Sequence, residues 1–191
     1  AMLLTAIERT SIRSLCGLVE GQTVADFSGQ NLKPIDMKIL VAEFEFRGFI
    51  AAVASLRCGN NPGMVGKLDR RGNLETPDAH AEVFKGLTDS LKTSQVTEAD
   101  FSSCGIGPVA LGHLSDWVRD ATAAVARLGL SCNMITGSQC DKSTDYKWEY
   151  DKDLFGLISL CDALLALKNP IELDLSNCGL SVNGVNPIAK V

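Results

Sequence analysis

The feature of this sequence that most constrains its fold is a segment that recurs at a constant spacing of 74 residues. Each copy alternates apolar and polar residues and then enters a turn, and the three copies cover residues 25–32, 99–106 and 173–180. Phe27, Phe101 and Leu175 occupy the same place in the three copies. Similar segments at a fixed period indicate a repeat architecture, in which each repeat is one supersecondary unit.

A second, weaker pair of segments lies between these copies. Leu56-Arg57-Cys58 and Leu130-Ser131-Cys132 are also 74 residues apart. The key apolar positions are then 27, 56, 101, 130 and 175, with steps that alternate between 29 and 45. We therefore interpret residues 1–191 as a single domain of about five units, built from a duplicated block of 74 residues.

Each unit is predicted to be a short strand followed by a helix. The period of two places Ala25 and Phe27 on one side of the first strand. Pro34 and Pro108 stand at the start of segments with helical spacing, and two further helices are predicted over residues 79–92 and 153–168. Strands linked through helices imply parallel strands with right-handed crossovers, and stacked units of this kind form a solenoid.

One copy of the repeat carries a known family pattern. Residues 170–180, Pro-Ile-Glu-Leu-Asp-Leu-Ser-Asn-Cys-Gly-Leu, match L-x-x-L-x-L-x-x-N/C-x-L at every place but the first. The chain thus resembles the leucine-rich repeat family, in particular its ribonuclease-inhibitor-like class. The resemblance implies an α/β right-handed solenoid in a horseshoe arc, with parallel strands on the concave face and helices on the convex face. It also implies that Cys104, Asn133 and Cys178 cap backbone groups at the strand ends.

The units of 45 residues exceed the usual repeat length of about 20–29 residues. We expect the excess to form two long loops near residues 64–78 and 138–152, and exposed aromatic and arginine side chains are enriched at binding hot spots. The candidate protein-binding residues of these loops are Arg70, Arg71, Tyr146, Trp148 and Tyr150. Because Leu74 takes the place of Trp148 in the duplication, packing of Trp148 against a helix edge remains an alternative.

The outward positions of the predicted strands form the second candidate surface, on the concave face. These positions are Asp26, Ser28, Ser55, Arg57, Glu98, Asp100, Ser102, Arg127, Ser131, Glu172, Asp174 and Ser176. Their charges alternate from strand to strand, acidic then basic. The alternation is explained equally by cross-strand neutralisation, at about 0–1 kcal/mol a pair, and by recognition of a partner.

Composition and cysteine use restrict the function. Eighteen Lys and Arg against 23 Asp and Glu give a net charge of −5, which disfavours nucleic acid and anionic membranes as partners. No apolar run approaches the roughly 20 residues of a bilayer crossing. Seven cysteines without a Cys-x-x-Cys pair or a Cys/His group favour reduced thiols in a cytoplasmic protein.

Catalytic chemistry has few candidate residues. The two histidines, His80 and His113, lie in no nucleophile motif, and the acidic residues of 141–153 lack the spacing of a calcium-binding EF-hand loop. We therefore predict no enzyme activity, no cofactor and no metal.

The sequence thus predicts a monomeric protein–protein interaction module that binds its partner through the concave face and the two long loops. The family resemblance leaves two alternatives. One is a GTPase-activating protein, for which Arg57, Arg127 or the pair Arg70 and Arg71 would supply the arginine. The other is a structural spacer, since Ala1 before Met2 and a helix start at 186–188 suggest a piece of a longer array.

Overall fold

A parallel sheet of five short strands organises the chain. The computed structural model describes residues 10–46, 48–141 and 147–191. Its strands are β1 (Val24–Asp26), β2 (Ser55–Arg57), β3 (Lys67–Leu68), β4 (Leu74–Thr76), β5 (Glu98–Asp100), β6 (Arg127–Gly129), β7 (Gln139–Asp141), β8 (Lys147–Glu149) and β9 (Glu172–Asp174). The main sheet has the order β1-β2-β5-β6-β9, and each strand is parallel to its neighbour. The predicted α/β class with parallel strands is therefore confirmed.

Helices follow the strands of the main sheet and pack on one another in sequence. They are α1 (Pro34–Phe46), α2 (Ala81–Leu91), α3 (Pro108–Asp120), α4 (Phe155–Leu165) and α5 (Val182–Ile188). Each helix contacts the next one along the chain. Pro34 and Pro108 begin α1 and α3 as predicted, because the fixed φ of proline suits the first helical turn, where its missing N–H has no partner to lose. None of the helices in the described part of the chain has the length and apolar character that a bilayer crossing requires.

The core lies between the main sheet and the helices. Ala25, Leu56, Ala99 and Leu128, at the middle of four successive strands, are all buried in it. Since side chains alternate across a strand, the residues on either side of these four point to the opposite face of the sheet. Leu173, at the middle of β9, is only half-buried, because β9 is the last strand of the sheet.

The two long segments predicted as loops contain antiparallel hairpins, which corrects the loop prediction. β3 pairs with β4 and β7 pairs with β8. In the first hairpin the turn is held by Asp69, whose Oδ1 accepts hydrogen bonds from the backbone N–H groups of Arg71 and Asn73 at 2.7 and 2.9 Å. Lys67 and Glu75 form an ion pair of 2.7 Å across the strands.

The strand register corrects the predicted unit lengths. Leu56 and Leu128 both lie beside Ala99, so Leu56 corresponds to Leu128, 72 residues away, and not to Leu130. The link from α1 to β2 is two residues longer than the link from α3 to β6, and it contains a turn of 3-10 helix at Phe49–Ala52. The strand starts therefore step by 31, 43, 29 and 45 residues.

Candidate functional site

The face of the main sheet that points away from the core carries a groove of about 360 Å³. Its lining residues are Asp26, Ser28, Ser55, Arg57, Glu98, Ala99, Asp100, Ser102, Arg127, Gly129 and Asp174. The structure thus brings together nine of the twelve strand residues that the sequence placed on one face. Ala99 and Gly129, which sequence reasoning missed, complete the lining.

The other three predicted residues border the groove and bind its lining. The Ser131 hydroxyl donates to the Ser102 hydroxyl at 3.0 Å, and the Ser176 hydroxyl donates to the Asp174 carboxylate at 2.7 Å. Glu172 forms an ion pair with Arg127. These three side chains therefore hold lining residues in place.

Three of the acidic residues have a local structural role at the end of their strands. Asp26, Asp100 and Asp174 each accept, at 2.9 Å, the backbone N–H of the serine two residues further on. This is the Asx turn, in which an aspartate side chain closes a turn of its own backbone. The hydrogen bonds lower the pKa of Asp26 and Asp174. The sequence signal for this role was Asp-x-Ser repeated at the 74-residue spacing.

The two arginines of the groove each pair with a strand that lies away from the central strand β5. Arg57 is 3.9 Å from Asp26 on β1, and Arg127 is 3.6 Å from Glu172 on β9. All four side chains are half-exposed or more, so each pair contributes about 0–1 kcal/mol. Cross-strand neutralisation therefore accounts for these two pairs, whereas on β5 neither Glu98 nor Asp100 forms an ion pair within the described residues.

Ser55 departs from its prediction as an exposed residue. It lies beside Glu98 in the register of β2 and β5, but only 7% of its surface is exposed. Its residue lines the groove from below, since it stands at the start of β2 where the neighbouring strands cover it.

Buried polar groups cap the strand ends, as expected for Cys104, Asn133 and Cys178. The Cys104 thiol donates to the carbonyl of Cys58 at 3.0 Å, and the Cys178 thiol donates to the carbonyl of Leu130 at 3.2 Å. Asn133 makes a buried set of five hydrogen bonds with the backbone. Asn61 makes a comparable set, which sequence reasoning missed because the spacing of 74 aligned Asn61 with Ile135.

An aspartate after each hairpin caps a helix further along the chain. The Asp78 carboxylate accepts hydrogen bonds from the N–H groups of Gly107, Val109 and Ala110 at 2.7, 2.7 and 3.1 Å, at the start of α3. Burial raises the pKa of Asp78 even though these three bonds favour its charged form. Asp151 likewise accepts from the backbone N–H groups of residues 181 and 184 at the start of α5.

The hairpin residues predicted to bind a partner lie apart from the groove. Arg70 and Arg71 are exposed at the tip of the first hairpin, and Tyr146 lies outside the described residues. Trp148 and Tyr150 are 45% and 52% exposed, with their rings stacked at 6.0 Å. The alternative that Trp148 packs against a helix edge is therefore wrong, and no hairpin residue among those described lines the groove.

The comparisons with known proteins leave the identity of the site to its geometry. No protein-family model and no curated protein matches the chain. Within the described ranges, no three His, Cys, Asp or Glu side chains are grouped closely enough to hold a metal ion.

Proposed function

We propose that this protein is a leucine-rich-repeat solenoid of five strand-helix units that binds another protein through the groove, which would lie on its concave face. The sequential order of the parallel strands supports the repeat, as do the Asn and Cys caps that recur at the strand ends. In repeat proteins of this type, exposed strand positions of successive units form one continuous binding surface.

The observation that carries the proposal is that the groove collects charged side chains from all five strands of the main sheet. Charged groups that the fold leaves partly unpaired set the specificity and association rate of a protein interface. The lining has few apolar side chains, whereas sites for small organic ligands are predominantly apolar. The groove therefore suits the polar side chains of a protein surface better than a small apolar ligand.

We also propose that the protein works in a reducing, cytoplasmic setting. The thiols of Cys104 and Cys178 donate hydrogen bonds to carbonyls and can do so only when reduced. Burial raises the pKa of Cys104 to about 12 and that of Cys178 to about 11, which keeps both thiols protonated at neutral pH.

Two variants with the same change of charge test the binding surface. Arg57→Glu with Arg127→Glu alters the groove, and Arg70→Glu with Arg71→Glu alters the tip of the first hairpin. Proteins retained from cell extract by the native chain are identified by mass spectrometry, purified, and titrated against the native chain and both variants. We expect the groove variant to bind about ten-fold more weakly or worse and the hairpin variant to bind like the native chain.

Circular dichroism first establishes that both variants are folded. Equal weakening in the two variants would assign the binding to overall charge and would contradict a groove-centred interface. If the native chain retains no protein that binds it in purified form, the spacer hypothesis replaces this proposal.

A further inference from the structure

The centre of the groove contains two carboxylates without a cation. Glu98 and Asp100 lie on β5, the middle strand of the main sheet, and both line the groove. Side chains two residues apart on one face of a strand are about 6.6 Å apart at their bases. One charged group of a ligand between them can therefore reach both carboxylates.

The arginines of this protein do not neutralise this pair. Arg57 and Arg127 line the groove, but their ion pairs are with Asp26 on β1 and Glu172 on β9. The lining contains four acidic residues and two arginines, a formal charge of −2. The groove therefore attracts a positive group, and the attraction is strongest over β5.

The backbone beside Asp100 leaves its carboxylate uncovered. A Cβ atom at Gly59 would stand 2.9 Å from Asp100 Oδ2, and one at Gly129 would stand 2.8 Å from Oδ1. Both neighbouring positions are glycine, so no side chain from either one covers the carboxylate. Oδ1 accepts the N–H of Ser102, which leaves Oδ2 for a ligand.

A buried hydroxyl beside these carboxylates points independently to a ligand. Ser55 is 7% exposed and lines the groove level with Glu98. Within the described residues its hydroxyl has no hydrogen-bond partner, although buried polar groups are nearly always paired. A ligand that donates hydrogen bonds in the groove would satisfy it.

We propose that the centre of the groove binds one cationic side chain, a lysine or an arginine, of the partner protein. The inference deepens the proposed function and rests on it. A lysine ammonium has three donors and an arginine guanidinium has five. They meet three acceptors here: the carboxylates of Glu98 and Asp100 and the hydroxyl of Ser55. Hydrogen bonds between charged groups are the stronger class, so this contact would anchor the partner.

The test is an NMR titration of the full chain with Nα-acetyl-lysine methylamide and with Nα-acetyl-arginine methylamide. The neutral control probe is the lysine compound acetylated on its side chain. We expect saturable shifts of the backbone amide signals of β2 and β5 with the charged probes only. Glu98→Gln should weaken the binding about ten-fold. The matched control Glu82→Gln, which removes an exposed charge from α2, should leave the binding unchanged.

Equal weakening by Glu98→Gln and Glu82→Gln would mean binding by overall charge and would overturn the site. No saturable shift with either charged probe, up to its solubility limit, would also overturn it. In that case binding of a partner that still depends on Arg57 and Arg127 would leave the proposed function intact. Conversely, probe binding that depends on Glu98 supports the cation site even if no protein is captured, and only the proposed function then fails.

Discussion

Asn61 and Asn133 make matching sets of buried hydrogen bonds, although they stand two units apart. The Asn61 amide donates to the carbonyl of Phe27 at 3.0 Å and accepts the N–H of Leu32 at 2.9 Å. The Asn133 amide donates to the carbonyl of Phe101 at 2.9 Å and accepts from the unit before it in the same way. Each asparagine therefore ties its own unit to the preceding one.

This role predicts the effect of removing either amide. Asn133→Ala leaves buried N–H and C=O groups of two units without partners, at a cost of about 3 kcal/mol in the free energy of unfolding. Asn61→Ala should cost a similar amount. Urea denaturation followed by circular dichroism measures both. Asn183→Ala is the control, because Asn183 is exposed at the start of α5. Equal stability of Asn133→Ala and Asn183→Ala would contradict the role of the amide.

The Asp78 cap predicts coupling between the first hairpin and α3. Asp78→Ala removes the acceptor of three N–H groups at the helix start and should lower the free energy of unfolding by about 1–2 kcal/mol. Hydrogen exchange should rise at the amides of residues 107–110. The control Asp162→Ala removes an exposed carboxylate from α4 and should change neither quantity. Unchanged exchange at the start of α3 in Asp78→Ala would refute the cap.

The Asx turns predict a specific dependence on acid. The hydroxyl and the backbone N–H of Ser176 lower the pKa of Asp174 below its ordinary value of 3.8. A depressed pKa stabilises the fold above pH 3.8, and this contribution disappears as the pH falls through the folded-state pKa. Ser176→Ala removes the hydroxyl and keeps the N–H, so the pKa of Asp174 should rise towards 3.8.

Carboxyl-carbon NMR titrations of the native chain and of Ser176→Ala measure this change. Asp26 is the internal reference, because its own turn uses Ser28 and should titrate alike in both proteins. An Asp174 midpoint that does not move would show that its hydroxyl contact contributes nothing to the depressed pKa.

The two tryptophans should differ sharply in their contact with solvent. Trp117 is fully buried, whereas Trp148 is 45% exposed on its hairpin. Acrylamide should quench part of the native fluorescence, and Trp148→Phe should leave the blue-shifted and nearly unquenched emission of Trp117. Tyr150→Phe keeps the ring stacked on Trp148 and serves as control. Strong quenching in Trp148→Phe would place Trp117 at the surface instead.

The local order of strands and helices could be predicted from the sequence. Alternation at Ala25 and Phe27, and prolines at positions 34 and 108, indicate strands and helix starts through short-range sterics and burial. The register of β2 could not be predicted in this way. Because side chains alternate with a period of two, a shift of two residues leaves the same face buried and gives no signal in the pattern.

For the candidate site, the sequence by itself determined which residues share one face, because the strand period and the repeat spacing are properties of the chain alone. It did not determine which of their charges are free. Arg57 pairs with Asp26, and Arg127 pairs with Glu172, while Glu98 and Asp100 have no ion pair within the described residues. Only the tertiary structure decided this, because an ion pair depends on which strands are neighbours and on distances of a few ångströms between residues far apart in the chain.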